Sequence, residues 1–509
     1  METAKYILAV DIGTSSCKST VFSKDGRVIV SASSGYMLYH PAPGFAEQKP
    51  EEWWSGFCKV MGEIFTVVKP GDIAAVGVAG QGWSAIAVDK SGEVLFNNPI
   101  WMDNRAQHDC AEITRRVPPE NIFSLCGNQV APMYTTPKIL WFQREYHSVF
   151  KRVYKFLQSN SYFVYKLTGQ FTQDTSQGYG LHFFNMKSCE WDSDMATVMG
   201  IDPDLMPDLY NPSQVVGTVT KAAARLTGLL EGTPVVAGGL DAACSTLGAG
   251  VLEPGQTQAQ GGTAGGMSLC LDSYASHPKL IMGRHVIDER WLLQGGTVGG
   301  GGTLRWLKDN VLGLEYEKMS CLAAASPIGS RGLIFLPYMS GERSPIWDKD
   351  ATGVYFGLDY SKSRIDMIRA AMEGVAFSLL HNVETAYEAG GKIESFNLVG
   401  GIANSPVWLQ AIADVTGKPI NILSSDTGTN LGGAILAGVG VGIYKTPKEA
   451  VKDICSIQKT FIPNPNSHDE YQEYYKIYRK LYETTKDTMT ELSVLSRQGG
   501  KYESSSTTR

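Results

Sequence analysis

The 509-residue sequence has nine cysteines, at 17, 58, 110, 126, 189, 244, 270, 321 and 455, and no CxxC pair among them. An odd, scattered set argues against a disulfide framework or a cysteine zinc site and fits thiols kept reduced in a cytoplasm. The eight histidines show no metal-ligand spacing. Lys and Arg form no block, and 45 basic against 51 acidic residues leave a formal charge of −6, which argues against a nucleic-acid partner. The N-terminus lacks a basic region and a cleavage site, so no signal peptide is expected. One stretch lacks charge altogether: the 18 residues 427–444. They approach membrane-span length, but six of them are glycine. They read as a small-residue helix packed tightly on a sheet, and no membrane contact is expected.

A chain this long exceeds one core and suggests two or three domains. Its 43% hydrophobic content, with 10 Trp, 23 Tyr and 18 Phe, is that of a well-packed globular protein. Apolar runs predict strands at 6–10, 18–23, 27–32, 73–79 and 84–88. Pro50-Glu51-Glu52-Trp53-Trp54 has the Pro and acidic residues of a helix start, and the helix is expected near 51–67. Helical patterns dominate 104–170, and a buried strand over 233–239 delivers Asp241 to a Gly-flanked turn. Glu253-Pro254-Gly255 marks a domain break near 248–256. The second half repeats the plan, with strands at 257–260, 267–271, 281–287 and 291–294 and a helix from about 303. Phe396-Asn397-Leu398-Val399 is a short strand entering Gly400-Gly401, followed by a helix over 406–417. A long amphipathic helix is expected over 467–495, then a polar, disordered tail.

Two places combine a strand, a tight Gly/Thr/Ser turn and a second strand. One is Asp11-Ile12-Gly13-Thr14-Ser15-Ser16, and the other is Gly261-Gly262-Thr263-Ala264-Gly265-Gly266. Such a turn bares backbone N–H groups in a nest suited to phosphate oxygens. One in each half suggests a duplicated architecture that grips a polyphosphate. Asp11 and Asp241 each end a buried strand beside glycines. Either they cap turns, or one belongs to a metal–phosphate complex and the other accepts a proton, as phosphoryl transfer requires. The run Gly299-Gly-Gly-Gly-Thr-Leu-Arg-Trp306 lacks the acidic partner and βαβ setting of a dinucleotide site.

Met133-Tyr-Thr135-Thr-Pro-Lys138-Ile-Leu-Trp141-Phe-Gln-Arg-Glu145 resembles the first signature of the FGGY carbohydrate kinases. Gly353-Val-Tyr355-Phe-Gly357-Leu358 through Asp366-Met-Ile-Arg-Ala370-Ala-Met-Glu373 resembles the second. Phe45-Ala-Glu47-Gln48, Trp101-Met-Asp103-Asn-Arg105, Gly341-Glu342-Arg343-Ser-Pro345 and Gly400-Gly401-Ile-Ala-Asn404 follow the family in order, over residues 5–485. Within it the chain is most similar to xylulokinases. The resemblance implies an α/β, actin-like ATPase fold with two ribonuclease-H-like domains and a central cleft. The expected boundaries are 1–250 for a sugar-binding domain with the first phosphate hairpin, 251–495 for an ATP-binding domain, and 496–509 for the tail. The cofactors it implies are ATP and Mg²⁺, and a homodimer is the assembly left open.

Carried over by resemblance, Asp241 is the catalytic base, and Asp11 with Asp241 holds the metal. Gly13, Thr14, Ser15 and Lys18 form the first phosphate site, and Gly262 and Thr263 the second. Gly301, Gly400, Gly401 and Asn404 line the adenosine pocket. Gln81, Trp83, Trp101, Asp103 and Asp241 face the sugar, although Asp103 and Arg105 read equally well as a structural pair. Glu342-Arg343 stays open between sugar binding and structure. Two positions depart from xylulokinases. Gly82-Trp83 stands where they carry Met-His, and Ala242 where an Asn usually follows the catalytic Asp. Two polar handles on the sugar are therefore missing. The expected activity is transfer of the ATP γ-phosphate to a terminal hydroxyl of a small sugar, a ketopentose such as xylulose. The alternatives are a tetritol, glycerol or aldonate kinase, or an actin-like ATP-binding module without transfer. A sugar-responsive repressor is weaker, since no basic helix-turn-helix precedes residue 5.

Overall fold

The computed structural model describes residues 5–423 and 428–503, with side chains as far as Ser496. The chain forms two compact units. One comprises Met1–Pro254, Cys270–Leu293 and Leu423–Ser456, the other Gly255–Leu269, Gln294–Ile422 and Ile457–Arg509.

The first unit is built on a sheet of β1 (Tyr6–Ile12), β2 (Ser16–Ser23), β3 (Val28–Gly35), β4 (Ile73–Gly80), β5 (Val215–Thr218) and β6 (Pro234–Val236), in the order β5-β6-β4-β1-β2-β3. β1 and β2 form an antiparallel hairpin, and β1 runs parallel to β4 on its other edge. Ile7, Leu8, Ala9 and Val10 are all 0% exposed, so β1 is covered on both faces, as its unbroken apolar run requires. The helix Pro50–Ile64 lies against β2 and β3. It starts one residue earlier than expected because Pro50 sits at its first position, where no N–H is needed.

The uncharged stretch is the helix Thr429–Gly440, which packs on β1, β4 and the helix Asp241–Gly248. A Cβ on Gly77 of β4 would lie 2.1 Å from the Gly433 carbonyl oxygen, and one on Gly432 would lie 1.9 Å from that of Cys244. Backbone touches backbone here, which explains the glycine content. Among the described residues no helix is long and apolar enough to cross a membrane.

The strand expected over 233–239 is broken. Gly238 has φ +74°, and a Cβ there would meet the Val78 carbonyl oxygen at 1.9 Å. The chain kinks after β6, makes the short strand Gly239–Leu240 beside β4, and enters the helix with Asp241 as its first residue. The space beside Gly238 and Gly239 is filled by Val78 and Val286. These glycines therefore serve internal packing.

Residues 104–170 are largely helical, with Gln107–Arg116, Pro119–Cys126, Thr135–Glu145 and Ser159–Thr168. Many of their apolar residues, Ile113, Ile139, Trp141 and Phe142 among them, form a second core cluster of this unit. Cys270–Leu293 returns to the same unit, where Asn128 exchanges two hydrogen bonds with the Met282 backbone.

The second unit repeats the hairpin plan with β7 (Gln256–Gly261) and β8 (Gly265–Leu271), antiparallel to each other. β10 (Ser395–Val399) lies parallel to β7, and β11 (Ile420–Leu423) parallel to β10. With β9 (Trp291–Thr297) and β12 (Ile457–Phe461) the order is β9-β8-β7-β10-β11-β12. The helix Arg364–Glu388 is opened by a reciprocal Ser363–Asp366 cap and is buried along most of its length. Its Arg369 and Glu373 share Tyr471 of the last helix, Pro465–Glu503. Of the tail expected to be disordered, residues 504–509 lie outside the described residues.

Gly77→Ala forces a methyl group into backbone, and about 1–3 kcal/mol of stability should be lost. Gly62→Ala, on the open side of the first helix with nothing within 4 Å, should instead gain about 0.5–1 kcal/mol. Chemical-denaturation midpoints of the two variants check the pair.

Candidate active site

Asp11 is the next-to-last residue of β1, opposite Lys18 in the hairpin register. The residue is half-buried, but its Oδ1 is enclosed and has no hydrogen-bond partner. Burial raises its pKa from 3.8 to about 8, Asp241 adds to the rise, and Lys18 opposes it. Asp241 is also half-buried with an enclosed carboxylate, and its Oδ1 accepts the Ala242 N–H at 2.6 Å. Burial raises its pKa to about 6. Both shifts go upward, so enclosure and mutual repulsion resist having the two carboxylates charged together.

Asp11 and Lys18 line a cavity of about 230 Å³ with Thr20, Gly428, Thr429 and Asn430. Asn430 donates to Thr20 Oγ1 at 2.9 Å and to the Lys18 carbonyl at 3.3 Å, so the small-residue helix is pinned to β2. Nothing in the uncharged stretch pointed to that function for Asn430 beforehand.

The hairpin tip is closed by Gly13 N–H donating to the Ser16 carbonyl at 3.1 Å, and Ser15 is exposed. Thr14 sits at the centre of a polar chain. Trp101 Nε1 donates to its hydroxyl at 2.9 Å, and that hydroxyl donates to Gln81 Oε1 at 3.4 Å. Gln81 Nε2 donates to Gln48 Oε1 at 2.9 Å, and Gln48 Nε2 closes the chain on the Thr14 carbonyl at 2.7 Å. Thr14, Gln81 and Trp101 are thus brought together. Gln48 is the member the sequence reading missed, although it stands in a quoted motif.

Asp103 is 0% exposed and accepts from Ala46 N–H at 2.6 Å and from the backbone and Nε of Arg105. Arg105 also pairs with Glu47 at 2.7 Å and stacks on Phe45 and Trp141. The structural pair is therefore present, and it uses both oxygens of Asp103. Trp83 is 8% exposed, has φ +62°, and packs against Tyr134 and Tyr179. Its indole N–H has no well-aligned hydrogen-bond partner, although it lies close enough to influence the Tyr179 hydroxyl.

In the second unit, Gly301 and Gly302 open the helix Gly301–Leu307 and donate to the carbonyls of Gly262 (2.7 Å) and Thr263 (2.9 Å). The hairpin tip is thereby seated on a helix start. Gly262, Thr263, Gly301, Gly401 and Asn404 line one cavity of about 480 Å³, closed on its apolar side by Leu304, Ile402 and Trp408. Gly400 does not line it. Its φ of +97° and a Cβ position 2.7 Å from the Gly261 carbonyl carbon make it a packing glycine beneath the hairpin. Arg305, one helical turn after Gly301, lines the cavity with its Nη2 3.3 Å from Thr263 Oγ1. Glu342 accepts from Val298 N–H (2.6 Å) and Arg343 N–H (2.7 Å), and Arg343 donates to the Thr297 carbonyl. Both hold the end of β9, and burial pushes the Glu342 pKa up to about 7.

Among the described residues no three His, Cys, Asp or Glu side chains gather as a metal site would. Because the folded pKa of Asp11, about 8, stands above its ordinary 3.8, folding disfavours the ionised form. The cost is absent below the lower value and complete above the upper one. Asp11→Asn should therefore melt higher than wild type at pH 8 and lose that advantage at pH 4. A melting difference independent of pH would contradict the enclosure of this carboxylate.

Residues 6–248 match the N-terminal domain of the FGGY family of carbohydrate kinases, and residues 274–441 match its C-terminal domain. The chain is 32% identical over 497 residues to a xylulose kinase of Staphylococcus epidermidis, covering 96% of this chain and 98% of the relative. A gluconokinase of Bacillus licheniformis is 29% identical over 489 residues, 94% of each chain. The crystal structure of ligand-bound xylulose kinase from Lactobacillus acidophilus is similar with a TM-score of 0.89 at 25% identity, over 96% of this chain and 100% of that one.

Proposed function

The chain belongs to the FGGY family of carbohydrate kinases, with the α/β actin-like ATPase fold of that family, and we propose that it phosphorylates a terminal hydroxyl of a ketopentose, D-xylulose first. As a family member it is a phosphotransferase that acts on a sugar and uses ATP as donor. The observation that carries the reading is Asp241, an enclosed carboxylate with its pKa raised to about 6. At neutral pH it is ionised yet basic enough to accept a proton, as a general base should be.

Asp241 takes the proton of the sugar hydroxyl as that oxygen forms its bond to the γ-phosphorus. The bond from phosphorus to the bridging oxygen breaks, and ADP leaves with the electron pair. Thr14, Ser15 and Lys18 at the first hairpin, and Gly262 and Thr263 at the second, are the proposed phosphate contacts. Gly401 and Asn404 belong to the adenosine side of the 480 Å³ cavity. Gln81, Trp83 and Trp101 face the sugar, and Asp103 supports them through its bond to Ala46 and its pair with Arg105.

Asp11 and Asp241 would hold Mg²⁺. The unpartnered, enclosed Asp11 Oδ1 fits a hard cation that takes oxygen ligands and completes its shell with water and phosphate. When bound, the ion neutralises charge on the transferred phosphoryl group. A cytoplasmic location is supported by the nine free cysteines.

The xylulose kinase relatives favour D-xylulose, and the gluconokinase relative makes an aldonate the second reading. Trp83 and Ala242 bear on the choice, because a site built on hydroxyl contacts rejects sugars that cannot make them. Coupled ADP release should be measured with D-xylulose, D-gluconate, glycerol and erythritol. Sugar-dependent release with the highest kcat/KM for D-xylulose is expected. A gluconate optimum would establish the second reading, and ATP binding with no ADP release on any sugar would leave an ATP-binding module.

A further inference from the structure

Lys138 lies in the first turn of the helix Thr135–Glu145 and is 0% exposed. Its ammonium donates to two backbone carbonyls, those of Trp83 and Ile100, each at 2.8 Å. Neither partner is a carboxylate. Burial pushes its pKa down to about 7, Asp103 pulling it back up and Arg105 adding to the fall. Enclosing an ammonium in this way is expensive. An apolar side chain of the same length would fill the volume without that cost, so the donors must matter.

The two carbonyls belong to two separate loops. One loop carries Gln81 and Trp83, and the other leads directly into Trp101 and Asp103. Trp83 adopts a left-handed backbone conformation, φ +62°, which a bulky residue keeps only when its surroundings hold it there. The start of the same helix supplies more of that restraint. Thr135 Oγ1 donates to the Ser84 carbonyl at 2.9 Å, and Gln158 accepts the Ser84 N–H at 2.8 Å while donating to Thr135 at 3.1 Å. Tyr134, immediately before the helix, packs its ring at a tilt of 55° against that of Trp83, with centroids 4.7 Å apart. The first signature segment is thus the support on which the loop of Trp83 rests, and Lys138 hydrogen-bonds that loop and the second one together.

We propose that Lys138 is a positioning residue for the sugar: by bonding the Trp83 and Ile100 carbonyls together it fixes the separation at which Trp83 and Trp101 meet the substrate. The proposal rests on the functional reading above, since it takes these two loops to be the sugar's contacts. Charge-assisted bonds to both carbonyls make the clamp stiffer than neutral donors would. Because Lys138 touches neither the nucleotide cavity nor Asp241, its loss acts on sugar binding and spares ATP.

The test compares wild type with Lys138→Met, which keeps the volume without donors, and Lys138→Gln, which keeps amide donors on a shorter, neutral chain. KM for the sugar that wild type turns over best, KM for ATP, and kcat are measured for each. For the Met variant we expect sugar KM to rise by about tenfold or more with ATP KM within about twofold, and for Gln an intermediate sugar KM, the pattern of lost ground-state sugar binding. Unchanged sugar KM, a parallel rise of both KM values, or failure of both variants to fold by circular dichroism would each overturn the proposal. Absence of sugar-dependent turnover in wild type would instead overturn the functional reading, and this proposal with it.

Discussion

Asp11 and Asp241 carry like charges into an enclosed part of the first unit, and the elements around them have to make that tolerable. β1 brings Asp11 in at the end of a strand sealed on both faces, and the helix Asp241–Gly248 brings Asp241 in as its first residue. A helix N-terminus favours a carboxylate, and the Ala242 N–H satisfies one of its oxygens. Asp11 has no such help, and its pKa stands higher. An arrangement this unfavourable without a ligand supports the proposed roles of the two residues toward a cation and a reacting hydroxyl.

Close packing of backbone on backbone makes the enclosure possible. Gly77 meets Gly433, Gly432 meets Cys244, and Gly238 meets Val78. The first two contacts bring the small-residue helix against β4 and against the helix that Asp241 opens, and the third seats the chain before Asp241 on β4. The second unit uses the same device, with Gly400 beneath Gly261 and the helix start at Gly301 bonded to the hairpin carbonyls. In the second unit this fixes the hairpin tip, in the first it fixes the helix that Asp241 opens, and the side chains proposed for chemistry extend from that frame.

Much of this frame was legible in the sequence, for physical reasons. The run Tyr6-Ile7-Leu8-Ala9-Val10 announces a strand buried on both sides, Pro50 with Glu51 and Glu52 announces a helix start, and a glycine-rich uncharged stretch announces close helix packing. The two hairpins were readable from turn residues between apolar runs. Features that depend on distant partners were not. Whether Gly238 extends a strand or kinks it is decided by the Val78 carbonyl, and whether Gly400 faces a ligand or a neighbour is decided by Gly261. The return of Cys270–Leu293 to the first unit has no local signal, because Asn128 and Met282 are far apart in sequence. Lys138 sits among apolar residues of a helix whose start pattern says nothing of two carbonyls in other loops. Asp103 left both of its readings open until Arg105 and Ala46 could be placed around it.

The proposed phosphoryl transfer depends on Asp241 as the proton acceptor. Asp241→Asn keeps the size of the side chain and its ability to accept the Ala242 N–H but removes its basicity. Turnover of the preferred sugar, measured by rapid quench with saturating ATP, should fall by about 10²–10⁴-fold, while the dissociation constant for ATP stays near that of wild type. Near wild-type turnover in a folded Asp241→Asn enzyme would contradict the account.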